Sequence, residues 1–239
     1  MIDCLVMIPA KGTSRGLPGK NLHALAGRPL VSWTIQQALA ADIGPVVVVT
    51  DDRDIAGISD GLGTTVYEEP AEIAEGSVSM ESVMSWFLGQ CRERSGHMPD
   101  FLMVLQPTSP LKLASHVRDA AAIAKTGAFD SVFSAVPSAH CSWRYQGTDL
   151  LGEWPQDLKA KSRQRMLRQH AGRQVTENGA IYAVRTERFL VEETRFCGRV
   201  YAYEMPLWTA TEIDGSEELA IVELIMRARL QLGSDGVRT

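Results

Sequence analysis

The 239 residues of the chain, 45% of them hydrophobic, suffice to bury one sizeable core, so a single catalytic domain over 1–239 is expected. A net charge of −5 and a pI near 5.6 argue against nucleic acid as the main partner, because binding a phosphate backbone needs a basic face. Cys4, Cys91, Cys141 and Cys197 are scattered, with no Cys-x-x-Cys and no histidine at zinc-ligand spacing, which supports neither a disulfide framework nor a metal knuckle and fits a reducing cytoplasm.

The first element is a short apolar run from Cys4 to Pro9, preceded by Asp3 and too short for a signal peptide; no other stretch is apolar for long enough to cross a membrane. The run predicts a buried strand that delivers a loop of glycines, small hydroxyl residues and three cations. Gly12, Gly16 and Gly19 let the backbone aim its amides at a ligand, and Lys11, Arg15 and Lys20 add full charge, so a polyphosphate is the natural guest. A P-loop is excluded, since Ser14 and Asn21 stand where Gly and Ser or Thr are required. The dinucleotide fingerprint fails as well, because these glycines are spaced four and three apart. The plain alternative is a solvated basic turn, which an acidic chain has little reason to build with three cations.

After a turn over 25–30, apolar spacing predicts a helix over 31–41. Four consecutive valines in 45–50 predict a central parallel strand buried on both faces, ending in Asp51-Asp52. A helix over 55–62, a short strand over 64–67 and a helix over 79–91 follow. The next buried strand, 100–106, runs into Gln106-Pro107-Thr108-Ser109-Pro110, which breaks both strand and helix and places a loop at a carboxyl edge beside the first one. Then come a helix over 114–126, a strand over 128–136, an excursion over 137–174 rich in Trp, Arg and Gln, strands over 178–184 and 199–205, and a helix over 217–232. Alternating strands and helices predict a doubly wound, mostly parallel α/β sheet. A structureless loop as long as the excursion is uncommon in a compact domain, which argues against a merely irregular surface loop there.

Four stretches, in order along nearly the whole chain, carry a family resemblance: Pro9-Ala10 with Pro18-Gly19-Lys20-Asn21, then 105–111 (Leu-Gln-Pro-Thr-Ser-Pro-Leu), 177–182 (Glu-Asn-Gly-Ala-Ile-Tyr), and Glu212-Ile213-Asp214. Together they resemble the acylneuraminate cytidylyltransferases, the CMP-sialic acid synthetase family. The resemblance implies a nucleotidyltransferase (Rossmann-like) fold with a small dimerisation excursion, and hence a homodimer. It also implies CTP, a sugar-acid substrate of the nonulosonic class and Mg²⁺.

Site residues follow by the same route. Lys11, Arg15 and Lys20 are the catalytic cations, the family's Arg and Lys being exchanged at 11 and 15. Ala10, Gly12, Ser14, Asn21, Ser77 and Ser79 are assigned to the nucleotide, and Gln106, Arg144, Arg168, Asn178 and Tyr182 to the acceptor. Glu212 and Asp214 occupy the place of an Asp-x-Asp metal pair, two residues apart so that an extended segment points both the same way. Glu217 and Glu218 read instead as first-turn residues favouring the helix dipole. Glu69 stands where the family carries Arg, and a loop carboxylate beside Glu68 is expected to turn outward, so that Glu69→Arg would improve CTP use. Two rivals share these features: a cytidylyltransferase for another acceptor, and a non-catalytic paralogue that binds nucleotide or sugar.

Overall fold

The computed structural model describes residues 3–14, 16–74, 78–138, 142–146, 149–153 and 174–231, with the backbone alone over 142–146 and 149–153. Its centre is a seven-stranded sheet built from β1 (Cys4–Pro9), β4 (Val46–Thr50), β5 (Thr65–Glu68), β6 (Phe101–Leu105), β7 (Ser131–Ser138), β10 (Gln174–Arg185) and β11 (Val200–Glu204). The order is β11-β7-β10-β6-β1-β4-β5. Two small antiparallel pairs lie outside it, β2 (Ala24–Leu25) with β3 (Arg28–Pro29), and β8 (Ser142–Gln146) with β9 (Asp149–Glu153).

All neighbours are parallel except at β10, which runs antiparallel to both β6 and β7. The chain leaves the sheet at the end of β7, makes the β8–β9 hairpin, and re-enters with Gln174 opposite Ser138. An antiparallel return needs no crossover helix. It also brings the middle of β10 to the carboxyl edge of β6, where Ile181 pairs with Leu105.

Among the described residues seven helices pack around the sheet: α1 (Leu30–Ala41), α2 (Arg53–Gly61), α3 (Ala71–Ala74), α4 (Met80–Ser95), α5 (Ala114–Lys125), α6 (Thr186–Glu192) and α7 (Ser216–Gln231). Strand alternation splits the core in two. Val6, Ile8, Val48 and Met103 join Val31 and Ile35 of α1 and Val117 and Ala121 of α5 on one face. Met7, Val47, Val49 and Val104 meet Val83, Met84, Phe87 and Leu88 of α4 on the other. The valine run therefore has no polar face to show, since both of its faces are covered. A third cluster, with Leu25, Trp33, Leu111, Ile213, Val222 and Met226, seats α7 against α1 and fixes the segment that precedes it.

Helix ends follow local chemistry. Asp52 caps α2 by accepting from the amides of Asp54 and Ile55, which starts that helix ahead of its apolar stripe. Ser79 caps α4 through the amide of Ser82, and Gly96, in the left-handed region at φ 67°, stops it a turn beyond the periodic residues. Helices α3 and α6 are too short for their periodicity to have marked them in the sequence.

Candidate active site

A cleft of about 560 Å³ opens at the carboxyl ends of the central strands. Lys11, Thr13, Ser14, Lys20 and Asn21 of the first loop line one side of it, and Gln106, Pro107 and Thr108 line another. Val78, Met80 and Val83 at the start of α4 and the carboxylate residues Glu212 and Asp214 complete the lining.

The first loop is tied down at each end. Gly19, at φ 63°, turns the chain into a short 3-10 turn, Lys20–Leu22. Asn21, buried there, donates from Nδ2 to the carbonyl of Lys11 at 2.8 Å, while its Oδ1 has no hydrogen-bond partner among the described residues. Gly12 donates its amide to Asp51 Oδ1 at 2.7 Å. Lys20 reaches across the cleft, with Nζ donating to the carbonyl of Ile213 at 3.0 Å and to Asp214 Oδ1 at 3.2 Å. Gly16 packs against the same segment so closely that a Cβ would stand 2.2 Å from the Asp214 carbonyl oxygen, leaving room for glycine only.

Burial of Ile213 sets the acidic pair. With that side chain inside the third core cluster, its neighbours Glu212 and Asp214 both border the cleft. They differ in freedom. Asp214 is exposed, whereas Glu212 accepts from Thr108 Oγ1 at 2.6 Å and sits over Gly179, where a Cβ would be 2.7 Å from its Oε2. Lys112 stands behind this wall, fully buried, with Nζ donating to the carbonyls of Gln106 at 2.8 Å and Ser109 at 3.0 Å and bonded to Thr34 Oγ1 at 2.9 Å. Burial pulls its pKa down to about 7, against the opposing pull of Glu212.

At the opposite end, Lys11 Nζ donates to the carbonyl of Ile73 at 3.0 Å and lies 3.8 Å from Glu69 Oε1. Glu69 is 5% exposed, so the outward solvated carboxylate expected at this position is corrected. It turns inward because Lys11 offers it a counter-charge, and the departures at 11 and 69 from the resembling pattern thus meet in one ion pair. Among the described residues neither carboxylate oxygen has a hydrogen-bond donor, and burial pushes the pKa up, with Lys11 pulling it down and Asp51 adding to the rise.

The profile of the family described as Cytidylyltransferase matches residues 5–219. The chain belongs to the cytidylyltransferase family. This is a nucleotidyltransferase family. The chain is 31% identical over 222 residues to N-acylneuraminate cytidylyltransferase A of Danio rerio, covering 91% of this chain and 49% of that protein. It is 27% identical over 224 residues to N-acylneuraminate cytidylyltransferase of Streptococcus agalactiae serotype V, covering 90% and 51%. The chain spans about half the length of the curated relatives it matches. Among solved structures, CMP:2-keto-3-deoxy-manno-octonic acid synthetase complexed with CTP superposes with a TM-score of 0.66 at 17% identity, covering 95% of this chain and 99% of that one. The 4-diphosphocytidyl-2C-methyl-D-erythritol synthase of Anaerococcus prevotii gives 0.64 at 12%, again over 95% and 99%. These two establish the nucleotidyltransferase fold.

In this cytidylyltransferase-family chain, Lys11, Ser14, Lys20, Asn21, Gln106, Glu212 and Asp214 share one cleft. Ala10 is buried beneath the first loop, donating its amide to Val49, and Ser79 serves as the α4 cap. Asn178 and Tyr182 are not among the residues that line the cleft. Asn178 is buried with its amide spent internally: Oδ1 accepts from Ser134 Oγ, and Nδ2 donates to Thr209 Oγ1 and the Thr209 carbonyl. Tyr182 is buried and donates its hydroxyl to Glu177, and its pKa is raised by burial and by that carboxylate. Arg15, Ser77, Arg168 and the side chain of Arg144 lie outside the described residues.

Sequence reasoning missed Thr108 and Lys112 as contributors. The one signal was a lysine flanked by Leu111 and Leu113 just after a carboxyl-edge loop. The lowered pKa gives it a measurable consequence. Between pH 7 and the ordinary lysine value of 10.5, the unfolded chain binds a proton that the folded one does not. Raising the pH through that window therefore favours folding through this group. Denaturant titrations of wild type and Lys112→Met across it should show wild-type stability rising relative to the variant.

Proposed function

We propose that the protein is a Mg²⁺-dependent cytidylyltransferase that joins CTP to a nonulosonic, sialic-acid-like 2-keto sugar acid, giving the CMP-sugar and pyrophosphate. The observation that carries this is Lys20, which joins the phosphate loop to Asp214 within one cleft, so that cation and exposed carboxylate face the same guest. The two relatives named for N-acylneuraminate supply the acceptor class. The anomeric hydroxyl of the sugar acid attacks the α-phosphorus of CTP, the bond to the bridging oxygen of pyrophosphate breaks, and the hydroxyl proton leaves to solvent. Lys11, Arg15 and Lys20 offset the charge that builds on the phosphate oxygens. Gln106 faces the acceptor's hydroxyl groups.

The residues present suit Mg²⁺. Among the described residues no three acidic, histidine or cysteine side chains converge, and Glu212 and Asp214 offer two hard oxygen donors with room beside them. That matches an ion held by one or two carboxylates and completed by water and substrate phosphates. Bound there, Mg²⁺ would supply Lewis-acid stabilisation of the phosphates. We also propose that the chain forms a homodimer through the excursion between β7 and β10, which light scattering in solution would test.

Incubation with CTP, Mg²⁺ and a panel of sugar acids, with pyrophosphate release as readout, tests the reading. Release only with a sialic-acid-like acid supports it; release only with a polyol phosphate or another keto acid reassigns the acceptor; no release with any leaves a binding protein. Lys20→Ala should lower kcat more than it raises the KM for CTP, because its charge is needed most as the phosphates separate. An effect on KM alone would make Lys20 a ground-state clamp.

A further inference from the structure

We propose that Lys112, which stands behind the cleft lining, is a positioning residue that holds the acceptor wall and the metal carboxylate Glu212 in register. This rests on the function proposed above. Lys112 is 0% exposed, yet every bonding direction of its amine is used: the carbonyls of Gln106 and Ser109 accept from it, and Thr34 Oγ1 on α1 is the third partner. Both carbonyls belong to the four-residue loop over 106–109, so one nitrogen clamps the loop at its two ends and ties it to a helix in the core.

What the clamped loop carries is the reason for the assignment. Thr108 donates its hydroxyl to Glu212 Oε1 at 2.6 Å, and its carbonyl accepts from the amide of Ile213 at 2.7 Å. Ser109 donates to the carbonyl of Asn178 at 2.9 Å, which fixes the start of β10 and so Gly179 under Glu212. Two bonds from the buried amine to the loop and three from the loop onward therefore link Lys112 to the carboxylate and its surroundings through Gln106, Thr108 and Ser109. A lone charge buried for packing alone would cost stability without return, and an apolar residue of similar length would fill the space at lower cost. The arrangement holds in either protonation state. As ammonium, Lys112 donates three bonds; as neutral amine, it donates to the two carbonyls and accepts from the Thr34 hydroxyl.

The experiment is calorimetric titration of the whole chain with CTP, with and without Mg²⁺, on wild type, Lys112→Met and Thr108→Val. Wild type should bind CTP more tightly with Mg²⁺. Lys112→Met should keep its metal-free CTP affinity within about twofold, since the first loop is untouched, and lose roughly tenfold or more of the magnesium-dependent gain, the usual scale for groups that orient a ligand from behind. Thr108→Val cuts the same path without disturbing the core and should lose the gain to a similar extent; it decides the matter should Lys112→Met fail to fold. In the double variant the losses should not add, because both act through Glu212. Retention of the full magnesium gain in Thr108→Val, additive losses, or an equal fall in metal-free affinity in Lys112→Met would each overturn the assignment. A wild type that releases pyrophosphate while the variants keep the gain refutes the role of Lys112 alone; a wild type with neither release nor magnesium-dependent binding refutes both readings.

Discussion

Asp214→Asn should lower turnover on the order of 10³-fold while leaving the melting temperature unchanged. The carboxylate is 77% exposed and its pairing with Lys20 spans 3.2 Å, so its loss costs little in folding, as is usual for an exposed ion pair. Asparagine keeps the shape and can still accept from Lys20, but a neutral amide is a poor ligand for a hard dication. The measurement is pyrophosphate release against Mg²⁺ concentration, with thermal unfolding alongside. Near wild-type activity at low Mg²⁺ would remove Asp214 from the metal site. A collapse in melting temperature would show that it acts on the fold instead.

Glu69→Arg should destabilise the protein by roughly 3–5 kcal/mol, the scale for breaking a buried pair and leaving one charge alone. For a domain of this size that is a fall of about 6–20 °C in the melting temperature. The cause is direct: a guanidinium would replace the carboxylate 3.8 Å from Lys11 in a site 5% exposed, so two cations would face each other with little water between them. Glu69→Gln, which keeps the shape and removes the charge, should cost less. Thermal unfolding of the three proteins tests this. An unchanged melting temperature in Glu69→Arg, with better use of CTP, would restore the outward carboxylate expected from sequence.

Local pattern determined much of this protein. The apolar runs, their alternation with helical periodicity and the breaks at Pro107 and Pro110 were enough to place the central strands and to bring two loops to one sheet edge, because strand burial and helix amphipathicity are encoded within a few residues. Lys11 and Lys20 of the first loop were legible for the same reason, whereas the acidic pair was picked out by the family resemblance and not by its local pattern. Other features depend on partners far along the chain. Lys20 meets Asp214 across 194 positions, Thr108 meets Glu212 across 104, and Lys112 meets Thr34 across 78, and no local spacing announces such contacts. Only the tertiary structure decided that Glu69 turns inward to Lys11, that Asn178 spends its amide on Thr209 and Ser134, and that a lysine between two leucines clamps a loop. The physical reason is common to all three. A polar side chain goes where its charge or hydrogen bonds are satisfied at the least cost of desolvation, and that balance is struck among groups which folding alone brings together.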